Sequence, residues 1–250
     1  MAARHTFAIG DIHGRADLLE PLLIAIDKRA DDMKIDYSIV FLGDIIDRGP
    51  DSKRALSMVG EAIVIKPGSS VILGNHDWFP IRILDELAGD HAEMALEHWI
   101  YNMGGGSTLL SYGFDPDGFT VADLDENFPR GHLDLLRNAV SYVELESHIL
   151  VHAGLAPGIE LAQQSRRDMM WIAEPFLSST ERFEKVVVHG HTVTPSRRCE
   201  KARHRIGIDT GAYATGRLSA VHLHPDGRTE FLETSQSRRG VVELASPVHV

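Results

Sequence analysis

Three observations predict an α/β (α+β) fold with a helical insertion. Short apolar, β-branched runs recur along the chain, and each stops abruptly at a polar edge rich in Gly, Asp, Asn or His. The first three runs are separated by segments with helical spacing or a helix-start signal. That alternation is the pattern of a βαβ layer with parallel strands. Residues 78–140, by contrast, read as mainly helical, a cap inserted after the third edge within one domain covering residues 1–234.

Thr6 to Gly10 is the first strand, ending at Asp11-Ile-His13, and Leu18, Leu19, Leu22, Leu23 and Ile26 mark a helix to about Arg29. Ser38 to Leu42 reads as a buried strand that delivers Asp44 at its carboxyl edge, where open α/β folds place ligands. Pro50-Asp51-Ser52 starts a helix through about Ile65. Ser70 to Leu73 is a third strand, ending at Gly74-Asn-His-Asp77. In the cap, Gly104-Gly-Gly106 breaks the helical run and Asp115-Pro-Asp-Gly118 is a turn. Trp99, Tyr101, Tyr112 and Phe114 are candidates for a pocket mouth, although aromatics at such spacings more often fill a core.

Ser147 to Val151 and Val186 to Val188 are further strands, ending at His152 and at His189-Gly-His191. Ile206 to Asp209 leads into Thr210-Gly211, and Leu218 to Leu223 and Thr229 to Leu232 close the fold. Residues 235–250 have little pattern and read as a loosely held tail.

A chain of 250 residues, 43% hydrophobic and 24% charged, has the makings of one ordinary globular domain. No run is apolar enough to span a membrane, and the first strand begins without a signal-peptide core, so the cytoplasm is the expected compartment. A net charge of −11 argues against a nucleic-acid partner. With Cys199 the only cysteine, thiolate zinc sites are excluded, and any metal must be held by His, Asp, Glu or Asn.

Bundled strand ends would gather Asp11, His13, Asp44, Asn75, His76, His152 and His191 at one rim. A helix-capping Asp11, or a half-buried His152 or His191, is the plainer alternative for any one edge; the coincidence of five is the signal. Mixed imidazole, carboxylate and amide donors suit manganese, iron or zinc. Two such ions with a carboxylate between them can hold an attacking hydroxide and clamp a phosphoryl group. Arg48 offers a planar fork for an anion.

Gly10-Asp-Ile-His-Gly14, Gly43-Asp-Ile-Ile-Asp-Arg-Gly49, Gly74-Asn-His-Asp77, His152-Ala-Gly154 and Gly190-His-Thr192 resemble, in order, the signature of calcineurin-like metallophosphoesterases. The Asp-Arg-Gly of the second motif is similar to the phosphoprotein phosphatase branch, in particular its small bacterial members. The resemblance implies a β-sandwich flanked by helices and a serine/threonine, or tyrosine, protein phosphatase using two divalent ions. A symmetrical diadenosine tetraphosphate hydrolase, or another small-molecule phosphohydrolase, is the alternative; a silent phospho-binding relative ranks last because no motif residue is lost. It implies Asp11, His13 and Asp44 at the first metal, and Asp44, Asn75, His152 and His191 at the second. His76 would be the general acid, oriented by Asp47, with Arg48 and Asn75 toward phosphate; His189 would be structural.

Three departures stand out. Asp77 replaces the usual Glu and is similar to the tetraphosphate hydrolases, whereas Asp47 favours the protein phosphatases. Ala173 stands where bacterial members often have Arg, which brings Arg166 and Arg167 in as substitute phosphate contacts. Five cations between Arg197 and Arg205 read as a solvated hairpin or as an attractive rim for phosphorylated substrates.

Overall fold

A computed structural model describes residues 4–181, 183–238 and 242–250. The first part of the chain gives β1 (His5–Ile9), α1 (Ala16–Met33), β2 (Tyr37–Phe41), α2 (Ser52–Ile65) and β3 (Ser70–Val71). Helices follow: α3 (Asn75–Ile81), a π-helical turn at Arg82–Glu86, α4 (Asp90–Asn102), α5 (Gly105–Tyr112), α6 (Val121–Asn127) and α7 (Arg130–Arg137). Then come β4 (Tyr142–Glu144), β5 (His148–Val151), α8 (Arg166–Trp171), β6 (Val186–His189), β7 (Glu200–Lys201) and β8 (Arg205–Gly207). The chain closes with α9 (Ala212–Thr215), β9 (Arg217–Leu223), β10 (Thr229–Ser235), β11 (Val242–Ala245) and β12 (Val248–His249).

The strands form two six-stranded sheets, ordered β11-β10-β9-β1-β2-β3 and β12-β7-β8-β6-β5-β4. Alternation along β1 shows why its whole run is apolar. Phe7 and Ile9 face α1, packing with Leu19, Leu22 and Ile26, while Ala8 turns the other way. Ala8, Val40, Leu42 and Ile72 of the first sheet meet Leu150, Val188, Ile206 and Ile208 of the second. The outer face of the second sheet, Ile149, Val151 and Val187, is covered by Met169 and Phe176. Both sheets are therefore buried on two faces, which produces continuous hydrophobic runs rather than alternation. The β-sandwich that the resemblance implies is this pair of sheets.

The sheets are mixed rather than parallel. The β1-β2-β3 and β5-β6-β8 cores are parallel, but β9, β10, β11, β4 and β7 run antiparallel to a neighbour. A short turn joins β9 to β10, and only antiparallel strands can be linked so tightly. The strand β4, which sequence periodicity misses, is three half-exposed residues at a sheet edge.

Helices α3–α7 do not stand apart as a lid. Leu96, Trp99, Leu109 and Leu133 share one core with α1 and α2. Asp51 starts α2 as anticipated, its carboxylate accepting the Arg54 N–H. Residues 239–241 of the expected loose tail lie outside the described residues; among the described ones, β11 extends the first sheet beside β10, and β12 extends the second beside β7. Backbone pairing holds these segments, and it leaves little trace in side-chain periodicity. No helix among the described residues is long and apolar enough to cross a membrane.

Ending the chain before Val242 removes an edge from each sheet at once. The expected outcome is a melting temperature several degrees lower, with faster amide exchange at Phe231 and Glu233, the β10 residues whose N–H groups face β11; unchanged exchange at both would show that the edge contributes nothing.

Candidate active site

The carboxyl ends of β1, β2, β3, β5 and β6 meet at one rim, and the polar edges converge there. Asp44 organises them. Its carbonyl accepts the N–H groups of Ile12 and His13 at 3.1 and 2.8 Å. Its Oδ1 accepts the His76 N–H at 3.0 Å. Across the gap between sheets, the His191 N–H donates to the Asp11 carboxylate at 3.0–3.1 Å. Among the described residues seven non-glycine positions have positive φ, and five of them are His13, Asp44, Asp47, Arg48 and His191. Each left-handed L-residue costs about 1–2 kcal/mol, and such strain concentrates where side-chain placement outweighs stability.

Two motif glycines have a steric reason. A Cβ on Gly74 would collide with the Asp44 backbone and Oδ1, and one on Gly190 with Asp11 Oδ1. The loops lie flush against the carboxylates.

Two donor groups share one carboxylate. His13, Asp44 and His76 form the first, and Asp44, His152 and His191 the second, with donor atoms in each group within 4.8 Å of one another. Backbone carbonyls fix two tautomers, because a carbonyl only accepts. His13 Nδ1 donates to Ile46 O at 2.9 Å and His152 Nδ1 to Leu42 O at 2.8 Å. Both Nε2 lone pairs are thereby turned inward, each 3.5 Å from an Asp44 oxygen. His152 Nε2 and His191 Nδ1 also lie 3.0 and 2.8 Å from Asn75 Oδ1. Lone pairs of nitrogen facing carboxylate and amide oxygens repel unless a cation sits among them, so this donor set fits a divalent metal.

Burial supports the same reading. It lowers the pKa of His13 to about 3 and of His191 to about 4, leaving both as neutral ligands. It raises Asp11 well above the usual carboxylate range, with Asp209 and Asp44 adding repulsion. Asp209, buried beside them, is raised to about 6 by burial although the Gly211 N–H donates to it. A cation would relieve this crowding of buried carboxylates. Asp11 itself stands outside both donor groups, its oxygens turned to the His191 N–H.

Beside these groups stands a second device. His76 Nδ1 donates to Asp47 Oδ2 at 2.8 Å, and Asp47 is completely buried. Trp99 Nε1 and Thr108 Oγ1 also donate to Asp47, at 2.9 and 2.7 Å. Burial works against a charged His76, but the Asp44 charge and the Asp47 hydrogen bond outweigh it and raise its pKa. The Arg48 fork spans His13 Nε2 at 3.1 Å and His76 Nε2 at 2.8 Å, over the Tyr213 ring at 4.7 Å.

Other candidates lie elsewhere. Arg166 and Arg167 are exposed on the first turn of α8, whose far end brings Trp171 edge-on to His191. Arg197 and Arg198 are exposed, whereas Lys201 turns to Thr229 Oγ1 of β10 at 2.8 Å. His189 is buried behind the site, packed edge-on against Phe176. Of the cap aromatics, Trp99 reaches the site from within the core, and Tyr101 is exposed. Asp77 is buried, and its Oδ1 accepts the Ile45 and Ile46 N–H groups at 2.9 and 3.3 Å.

Sequence reasoning did not place Asp209, Tyr213 or Thr108 at the site, and it offered Trp99 only as a pocket-mouth aromatic, not as a donor to Asp47. Asp209 carried the usable signal, a carboxylate ending one more apolar run; Tyr213 and Thr108 are brought in by tertiary packing.

The chain belongs to the calcineurin-like phosphoesterase family, whose model matches residues 5–202. It is 26% identical over 232 residues to serine/threonine-protein phosphatase 2 of Escherichia coli (strain K12), covering 86% of this chain and 91% of that protein. It is 29% identical over 158 residues to the symmetrical bis(5'-nucleosyl)-tetraphosphatase of Janthinobacterium sp. (strain Marseille), covering 63% of this chain and 46% of that protein. The chain thus spans about half the length of the tetraphosphatase it matches. The solved metallophosphoesterase from Sphaerobacter thermophilus shares the fold, with a TM-score of 0.53 at 18% identity, covering 91% of this chain and 86% of that one.

Thr108→Val removes one donor from a buried carboxylate. The expected loss, about 1–3 kcal/mol for an unsatisfied buried group, is read from urea denaturation, and an unchanged midpoint would deny Thr108 this role.

Proposed function

We propose that the chain hydrolyses phosphomonoesters with two divalent cations, manganese first among them, and that phosphoserine and phosphothreonine side chains of proteins are its substrates. The observation that carries the proposal is the sharing of Asp44 between two donor groups, with a buried Asp47–His76 pair and the Arg48 guanidinium alongside. His13 and Asp44 would hold one ion together with Asp11, whose carboxylate would turn to it from the His191 N–H, while the His76 ring, engaged by Asp47, is kept for the proton; Asp44, Asn75, His152 and His191 would hold the other. When bound, such ions activate water and neutralise phosphoryl charge.

The chain's own residues supply the rest. Arg48 donates from both arms of its fork to phosphoryl oxygens, which take the place now held by the His13 and His76 nitrogens. Tyr213 supports the guanidinium from below. Protonated His76 gives its Nε2 proton to the leaving oxygen and regains one from solvent, while Asp47 fixes the ring through Nδ1 and stabilises the imidazolium. A serine or threonine alkoxide is a poor leaving group and needs that proton; a nucleoside polyphosphate leaves readily without one. The acid device therefore favours phosphoprotein, as does the near end-to-end match with the Escherichia coli protein phosphatase.

A second reading, symmetrical hydrolysis of dinucleoside tetraphosphates, is favoured by the 29% identity to the Janthinobacterium enzyme. The Asp77 substitution adds little to it, because that carboxylate faces the Ile45 and Ile46 backbone.

Manganese-loaded protein assayed on phosphoserine, phosphothreonine and phosphotyrosine peptides and on diadenosine tetraphosphate separates the readings. Turnover of the serine and threonine peptides is expected; turnover of the tetraphosphate alone would overturn the substrate assignment. His76→Asn should lower kcat on phosphoserine peptide by about 10²–10⁴-fold, with a smaller loss on p-nitrophenyl phosphate, whose leaving group needs less help. The pH profile tests Asp47. His76 is active in its protonated form and Asp47 raises its pKa, so activity falls as pH rises through that pKa. Asp47→Asn should move the falling limb to lower pH, and an unmoved limb would disconnect the pair.

A further inference from the structure

We propose that His5, His222 and His224, with Glu230 beside them, bind one borderline divalent transition-metal ion, of the zinc type, at the rim of the first sheet opposite the active site. The three histidines each offer one ring nitrogen, and these atoms lie within 4.8 Å of one another. The sheet assembles them from neighbouring strands. His5 opens β1, His222 pairs with Phe7 of β1 on one side and with Glu230 of β10 on the other, and His224 follows β9 directly. Alternation puts His222 and Glu230 on the same face, the one packed against α1.

The hydrogen bonds within the cluster are incomplete. His5 Nδ1 and His222 Nε2 are 2.9 Å apart and share one hydrogen. His224 Nε2 lies 3.1 Å from Glu230 Oε2 and donates to it, since a carboxylate only accepts. That fixes the tautomer and leaves a lone pair on His224 Nδ1, which is buried without a partner. His222 Nδ1, 3.5 Å from the same Glu230 oxygen, is likewise buried without a partner. The His222 and His224 rings stack with centroids 3.9 Å apart, so their unused nitrogens are held close together. Buried polar atoms left unpaired are few in folded proteins and each calls for a cause. Two in neighbouring histidines, within reach of a third histidine and a carboxylate, are accounted for together by one cation bound among them.

The donor chemistry selects the ion. Imidazole nitrogens with one carboxylate suit zinc, cobalt or nickel, whereas magnesium and calcium prefer all-oxygen cages. His222 and His224 are 0% and 3% exposed, which holds the donors rigid, while His5 is half-buried and gives access. Arg29 of α1 pairs with Glu230 and competes for its charge. Asp11 lies six residues along the chain from His5, about 20 Å at strand spacing, so the site is separate from the catalytic rim. An ion there would staple β1, β9 and β10, and its effect should appear in stability.

Zinc titration of the full chain, followed by elemental analysis, is compared for the wild type, His5→Ala and His224→Gln. The wild type should retain one more equivalent than either variant, and zinc should raise its melting temperature further. Arg29→Ala should tighten zinc binding. Equal stoichiometry in all three proteins would overturn the proposal. Should the variants fail to fold, ring-nitrogen NMR of the wild type decides: zinc must shift the His5, His222 and His224 signals, and a titration that leaves them in place refutes the site.

Discussion

The structure depends on placing a charged aspartate in the seam between two sheets. Asp44 is 1% exposed, and its backbone is in the left-handed region. Its carbonyl ties down the loop after β1, its carboxylate ties down the start of α3, and Gly74 lies flush against it. Three strand ends are thus referenced to one residue. A buried carboxylate is unfavourable unless opposite charge or hydrogen bonds compensate it, and here neutral imidazoles turn lone pairs toward it. Such lone pairs facing a carboxylate are unfavourable by themselves, and a cation among them would compensate, so a metal held there would add to the stability of the fold.

The fold and the candidate site were legible in the sequence to different degrees. Strands buried on both faces announce themselves as continuous apolar runs, and β1, β2, β5 and β6 were read within a residue or two. Edge strands β4, β11 and β12 carry no such pattern, because a half-exposed strand held by backbone pairing puts little constraint on side-chain type. Donors at strand ends were visible because Gly, Asp and His interrupt an apolar run. The contacts of Trp99 and Thr108 with Asp47 were not, since they span 52 and 61 positions of chain. Tyr213 was hidden for the same reason, as its ring reaches Arg48 only once α9 is folded against the site.

Asp77 shows how a motif position can mislead. As a sequence feature it argues for one substrate class over another. In the fold its carboxylate points away from the rim to the backbone N–H groups of Ile45 and Ile46. Burial, with Asp44 nearby, raises its pKa to about 7. What it specifies is the shape of the loop that carries Asp44 and Asp47. Arg48, Tyr213 and Trp171, by contrast, stand beside the histidines of the rim.

Asp47 and Asp44 are both buried carboxylates in left-handed backbone, three residues apart, yet their surroundings give them opposite work. Asp44 is ringed by imidazole lone pairs and offers its oxygens to cations. Asp47 is ringed by donors, the indole of Trp99, the hydroxyl of Thr108 and the ring N–H of His76. Three donors converge on Asp47, and it lies in neither donor group that Asp44 shares. That difference divides a single loop into an end whose carboxylate meets imidazole acceptors and an end whose carboxylate meets hydrogen-bond donors. The helices α4 and α5 supply two of those donors, so the segment inserted after β3 fixes the Asp47 carboxylate, and through it the His76 ring, from within the core.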